Sequence, residues 1–138
     1  QKEVILIDTG GKMTYSSESW KVRDKNTLTD NLITSIHSLE ISKITYLILT
    51  HGDYDHMGEA ISLVDNIKVE KVFFNCGSFN DLENKLVQVL NLKKIKYESC
   101  SNEIKTDKYK LQFLNTTLYD NENDNSSVIY LNYNNYKF

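Results

Sequence analysis

Apolar positions along this chain fall into short runs with two different spacings, and the alternation between them predicts the order of elements. Val4-Ile5-Leu6-Ile7 is a continuous apolar run of the kind that forms a strand buried on both faces. Asp8-Thr9-Gly10-Gly11 breaks it with turn-forming residues. Residues 12–26 are polar and irregular and read as a surface loop. Trp20 stands alone in that loop, where it either anchors the loop to the body or stacks on a substrate ring. A helix is predicted from Thr27 or Thr29, because Leu28, Leu32, Ile33, Ile36 and Leu39 recur at helical spacing. Ile44 to Leu49 is a second strand.

Glu59 to Asp65 reads as a short helix, Val69 to Asn75 as a strand, and Asn80 to Leu90 as a helix with Leu82, Leu86, Val89 and Leu90 on one face. Ser78 or Asn80 caps it. A further strand follows at Lys94 to Tyr97. Lys93, Lys94 and Lys96 mark a solvated helix end and strand start rather than a phosphate track. Tyr109 to Leu114 and Ser127 to Tyr133 alternate as strands, separated by a polar, acidic loop from Asn115 to Asn125. Asn134-Asn135 signals a hairpin turn into a last strand. Strands alternating with helices over the first hundred residues predict right-handed crossovers and a largely parallel or mixed sheet; the remainder is hairpin-like.

The chemistry concentrates between the second strand and the short helix that follows, in Thr50-His51-Gly52-Asp53-Tyr54-Asp55-His56-Met57-Gly58. Two of the three histidines of the chain fall here, interleaved with two aspartates. Divalent cations favour imidazole nitrogen and carboxylate oxygen in combination. Alternate side chains of an extended segment share a side, so His51, Asp53 and Asp55 face one way if the loop stays extended, and His56 starts the turn into the helix. This spacing suits two ions, His51 and Asp53 on one and Asp55 and His56 on the other. The competing reading is a polar loop with surface histidines and Asp55 as a helix N-cap. His37 sits apart, on a helix.

His51-x-Asp53-x-Asp55-His56-x-Gly58 resembles the HxHxDHxG signature of the metallo-β-lactamase fold, with Asp53 where that pattern has its second His. In its context, this Asp variant resembles the metallo-β-lactamase-like domain of ComEC-type DNA-uptake channel proteins. Val4 to Gly11 is similar to that family's early strand and Asp-Thr-Gly turn, and Glu122 to Leu131 to its Asn-rich turn and following strand. The resemblance implies an α/β chain with a partial metallo-β-lactamase fold: about one αβ half, a mixed, largely parallel sheet with helices, ending in β-hairpin strands. It implies that His51, Asp53, Asp55 and His56 ligate metal and that Asp55 also orients the attacking water. Asp8 braces the metal loop from behind the ligands. Asp124 or Asn125 substitutes weakly for the family's third histidine motif or braces its loop. The implied cofactor is Zn²⁺ or Mn²⁺, two ions in an intact domain, and Asp53 for His tilts the set toward manganese. The implied reaction is phosphodiester cleavage that degrades one DNA strand during bacterial DNA uptake. The parent would be a membrane protein, with this part on its outer face and single-stranded DNA as substrate. Hydrolysis of a small ester or lactone, and non-catalytic binding of DNA or a protein, are the alternatives.

Bulk properties narrow the field only a little. A formal charge of −3 argues against a strongly basic nucleic-acid binder, although bound cations can neutralise phosphate locally. No run approaches the roughly 18 apolar residues of a membrane span. The chain opens directly into a strand and ends on Tyr136-Lys137-Phe138, so we expect residues 1–138 to be a single truncated domain that lacks ligands lying further on. Cys76 and Cys100 are the two cysteines, and neither sits in a CxxC. Two free thiols are expected; a disulfide requires the strands preceding them to be parallel neighbours.

Overall fold

A computed structural model of the chain describes residues 2–11, 28–115, 117–121 and 123–138. Two four-stranded sheets stack against each other, and helices cover one of them. The first sheet is wholly parallel, in the order β1 (Ile5–Ile7), β2 (Lys43–Ile48), β3 (Lys68–Phe74), β4 (Lys96–Ser99). The second is antiparallel, in the order β5 (Glu103–Lys105), β6 (Tyr109–Phe113), β7 (Ile129–Tyr133), β8 (Tyr136–Lys137). The α/β class, the parallel sheet with helices and the closing hairpin strands are as the sequence predicts. The parallel and hairpin strands, however, form two sheets rather than one mixed sheet.

Side-chain alternation along the central strands explains the layering. Leu47 and Leu49 of the β2 segment and Val72 and Phe74 of β3 face the helices. There they meet Ile36 of α1 (Leu28–Ser38), Leu63 and Val64 of α3 (Ala60–Asn66), and Leu86 and Leu90 of α4 (Asp81–Leu92). Ile48 and Phe73 point the other way, onto Ile104, Leu111 and Phe113 of the second sheet. Strands buried on both faces must be apolar at consecutive positions, which is why β2 and β3 read as runs rather than alternations. Between β2 and α3 the single-turn α2 (Tyr54–Met57) carries half of the ligand motif.

Several expectations are corrected. Among the described residues β1 lies at the sheet edge rather than in its interior, and Ile7 is 49% exposed despite its apolar run. Leu39 is 67% exposed, because α1 ends at Ser38 before that side chain can turn inward. Strand β5 went unpredicted; with Ile104 as its single apolar residue it has no periodicity to read. The cap of α4 is Asn80, not Ser78. Lys93 pairs with Asp65 at 2.9 Å and Lys94 turns the chain with a positive φ, in keeping with a solvated helix end. His37 is exposed, and Asn134 and Asn135 adopt the positive φ values that a tight hairpin turn requires. Trp20 and its loop lie outside the described residues.

The expectation of two free thiols is also overturned: Cys76 and Cys100 form a disulfide. The register explains it. β3 and β4 are parallel neighbours, with Phe74 opposite Ser99, so the residues just beyond each strand emerge side by side. The Cys100 amide donates to the Phe74 carbonyl at 3.3 Å, and a positive φ at Cys100 turns the chain toward the second sheet. The bond closes a segment of 24 residues that contains all of α4. Replacing both cysteines by serine is expected to lower stability by roughly 3 kcal/mol, since the unfolded chain regains the freedom of that loop. A reduced urea midpoint would show it, with the m-value rising as the unfolded chain expands, and thiol titration of the native protein should detect no free sulfhydryl.

Candidate metal centre

The parallel register delivers the motif to the C-terminal edge of the sheet. β1 pairs with β2 through Ile7 opposite Ile48, so both strands end at the same height. There Asp8 takes a positive φ, which Asp tolerates better than most residues. That turn aims its carboxylate back across the sheet edge. One oxygen accepts from the Thr50 amide at 2.8 Å; the other accepts from the Thr50 hydroxyl at 2.6 Å and lies 2.8 Å from His56 Nδ1.

A carboxylate only accepts, so the proton of His56 sits on Nδ1 and the Nε2 lone pair is left facing the site. This is the usual arrangement behind a metal-binding imidazole. The turn after Asp8 is tied down as well. The amides of Thr9 and Gly10 both donate to the His56 carbonyl, and the Glu59 amide donates to the Gly10 carbonyl. A side chain at Gly11 or Gly58 would collide with the Tyr54 carbonyl, so both glycines permit the Asp-Thr-Gly-Gly turn to lie directly on α2.

Three ligand-type side chains converge. One donor atom from each of His51, Asp55 and His56 lies within 4.8 Å of the other two. The imidazoles stand with ring centroids 3.9 Å apart, and His56 Nε2 is 3.6 Å from the Asp55 carboxylate. His51 is buried at 7% exposure, whereas 73% of the Asp55 side chain is open to solvent. Two neutral-capable nitrogens and one carboxylate form a donor set that suits a divalent cation of the zinc or manganese type.

The grouping differs from the two pairs expected from an extended loop. The backbone is extended only as far as Asp53, which is the N-cap of α2. Asp55 therefore lies in the helical turn beside His56 and is not the cap, and the turn begins at Tyr54 rather than at His56. Asp53 stands 3.4 Å from His51 Nε2, at the margin of the three-residue group rather than within it.

The Asn-rich turn approaches the motif through its backbone. The Ser127 amide donates to the Thr50 carbonyl at 2.7 Å. Asn125 is buried, but its carboxamide is spent locally: Oδ1 accepts from the Tyr119 amide, and Nδ2 donates to the carbonyls of Tyr119 and Asn121. Asp124 is exposed, and its carbonyl accepts from Asn115 Nδ2. Among the described residues neither joins the His51, Asp55, His56 group. The sequence reading missed Thr50, whose hydroxyl and amide both serve Asp8. A threonine ending a strand carries no local signal of that role.

Replacing Asp8 by Ala strands the Thr50 donors and the His56 Nδ1 proton. We expect a loss of about 2 kcal/mol, the scale of deleting a charged hydrogen-bond partner. Chemical denaturation would measure it, with a displaced His56 ring resonance in the folded protein.

Comparison with known proteins agrees with this geometry. The chain is 36% identical over 89 residues to ComE operon protein 3 of Bacillus subtilis (strain 168). That match covers 63% of this chain and 12% of the relative, so the chain spans only a small part of that protein's length. The profile of the Metallo-beta-lactamase superfamily matches residues 1–72, a span that includes β1, the Asp8 turn and the complete motif. The chain belongs to the metallo-β-lactamase superfamily.

Proposed function

We propose that this chain is part of a metal-dependent hydrolase domain that cleaves phosphodiester bonds of DNA, within a membrane-anchored DNA-uptake protein. The observation that carries the metal reading is the convergence of His51, Asp55 and His56 at the sheet edge. A divalent cation held there supplies Lewis acidity toward a phosphoryl oxygen. His51 and His56 offer ring nitrogens, and the Asp8 carboxylate keeps the His56 proton on the far side of its ring. Asp55, with its carboxylate open to solvent, serves both as ligand and as hydrogen-bond acceptor for the attacking water. Asp53, adjacent to His51, is the fourth candidate ligand.

DNA as substrate, one strand of it in particular, rests on the likeness to ComEC-type proteins and on the match to the Bacillus subtilis relative. Among the described residues no helix is long and apolar enough to cross a membrane. The Cys76–Cys100 disulfide favours an oxidising compartment and so supports placement on the outer face. On this reading residues 1–138 are one truncated domain whose remaining ligands lie elsewhere in the longer protein. Accordingly, the 138-residue chain should bind Mn²⁺ or Zn²⁺ weakly, with His51→Ala abolishing binding in a calorimetric titration, and should cleave little DNA. Robust Mn²⁺-dependent cleavage of single-stranded DNA by these residues alone would overturn the truncation. Within the longer protein, Mn²⁺ or Zn²⁺ should support cleavage of single-stranded DNA in preference to a small ester or lactone; the reverse preference would overturn the substrate.

A second reading, a non-catalytic domain that binds DNA or a protein, is favoured by two observations. Asp53 stands outside the converging group, and the Asn125 carboxamide is committed to its own loop. Asp55→Ala separates the two readings. Loss of at least a hundredfold in cleavage is expected for the hydrolase, from removal of a ligand and of the water-orienting carboxylate. DNA uptake undiminished by Asp55→Ala would favour the binding domain.

A further inference from the structure

Between His51 and Asp53 the chain passes through a buried glycine, and the N-terminus of α4 closes on that residue from below. Asn80 caps α4 and Glu83 completes a reciprocal capping box. The Glu83 amide donates to Asn80 Oδ1 at 2.9 Å, and the Asn80 amide donates to Glu83 Oε2 at 2.8 Å. A box of this kind ordinarily stands at the surface, where its carboxylate remains hydrated. Here Glu83 is 1% exposed. Burying a carboxylate is costly unless its surroundings use it. The ligand loop lies against it on one side. Asn80 Nδ2 donates to the Gly52 carbonyl at 2.8 Å. A Cβ placed on Gly52 would fall 2.5 Å from Asn80 Nδ2 and 2.6 Å from Glu83 Oε2.

From this we infer that Asn80 and Glu83 form a clamp that positions the His51-Gly52-Asp53 backbone for metal binding, at a position where a Cβ would run into both side chains. The inference rests on the metal reading above and deepens it. One face of the Asn80 side chain serves the helix; its amide nitrogen serves the loop. α4 is anchored in the core by Leu86 and Leu90, so the clamp ties the loop between two candidate ligands to a rigid element. Glu83 is not part of the His51, Asp55, His56 group and Asn80 offers no ligand of that kind, so both are positioning residues that act through Gly52.

The two duties of Asn80 can be separated. Serine caps a helix about as well as asparagine but has no amide to reach the Gly52 carbonyl. The 138-residue chain and its variants would be titrated with Co²⁺, followed by visible absorption, and the metal-free forms melted in parallel. Asn80→Ser should keep the melting temperature of the metal-free protein within a few degrees of wild type, yet weaken Co²⁺ binding about tenfold, the lower end of what loss of a supporting contact costs a metal site. Gly52→Ala should weaken binding at least as much, with helix content unchanged by circular dichroism. Glu83→Gln keeps an oxygen acceptor for the Asn80 amide and should retain most of the affinity that Glu83→Ala loses. Wild-type affinity in folded Asn80→Ser and Gly52→Ala would overturn the clamp and leave the metal site standing. Absence of any Co²⁺ absorption that His51→Ala removes would overturn the metal reading, and the clamp with it.

Discussion

The Asp8 carboxylate holds three groups in place at once, and the candidate site depends on it. It reaches the Thr50 amide, the Thr50 hydroxyl and His56 Nδ1 from the end of a neighbouring strand, 42 residues from the threonine and 48 from the histidine. Those contacts need β1 and β2 to end level, which the parallel pairing of Ile7 with Ile48 ensures. They also need a backbone at Asp8 that doubles back, hence the positive φ. Packing between the sheet and helices sets the strands; the strands set Asp8; Asp8 sets the ring of His56 and the nitrogen it presents.

Around this joint the C-terminal edge of the parallel sheet gathers nearly everything of chemical interest. The ligand loop follows β2, the disulfide joins the residues after β3 and β4, and Ser127 of the Asn-rich turn bonds the Thr50 carbonyl. An edge where several strands end offers short loops anchored to a rigid base, and that is where α/β sheets place their sites. The opposite edge carries Lys43, Lys68 and Lys96 at the strand starts, with Lys43 paired to Glu70. Hydrogen bonding and attraction from Lys43 hold the Glu70 carboxyl below its ordinary range. This edge reads as solvated charge.

Much of the architecture was legible locally. Runs such as Ile44 to Leu49 are apolar at consecutive positions because both faces of β2 are buried. Helical spacing marked Leu86 and Leu90 as the inner face of α4. The Asn-Asn turn announced the last hairpin. Where the reading failed, the reason was tertiary. Ile7 is apolar and half-exposed because no strand pairs beyond β1 among the described residues. β5 has one inward side chain and owes its existence to β6, with Ile104 opposite Leu111.

By itself the sequence determined the inventory: the strand-loop-helix order, the imidazoles and carboxylates crowded between positions 51 and 56, and the glycines that let a turn lie close to a helix. Only the tertiary structure decided the partnerships. It groups His51 with Asp55 and His56 and leaves Asp53 at their margin, because the chain bends into a helical turn at Tyr54 rather than continuing extended. It joins Cys76 to Cys100 and sets Glu83 beneath Gly52. The physical reason is common to all three. Local spacing prescribes which way a side chain leaves its own element, but which distant atom it then meets depends on register and packing between elements, and these are properties of the whole fold.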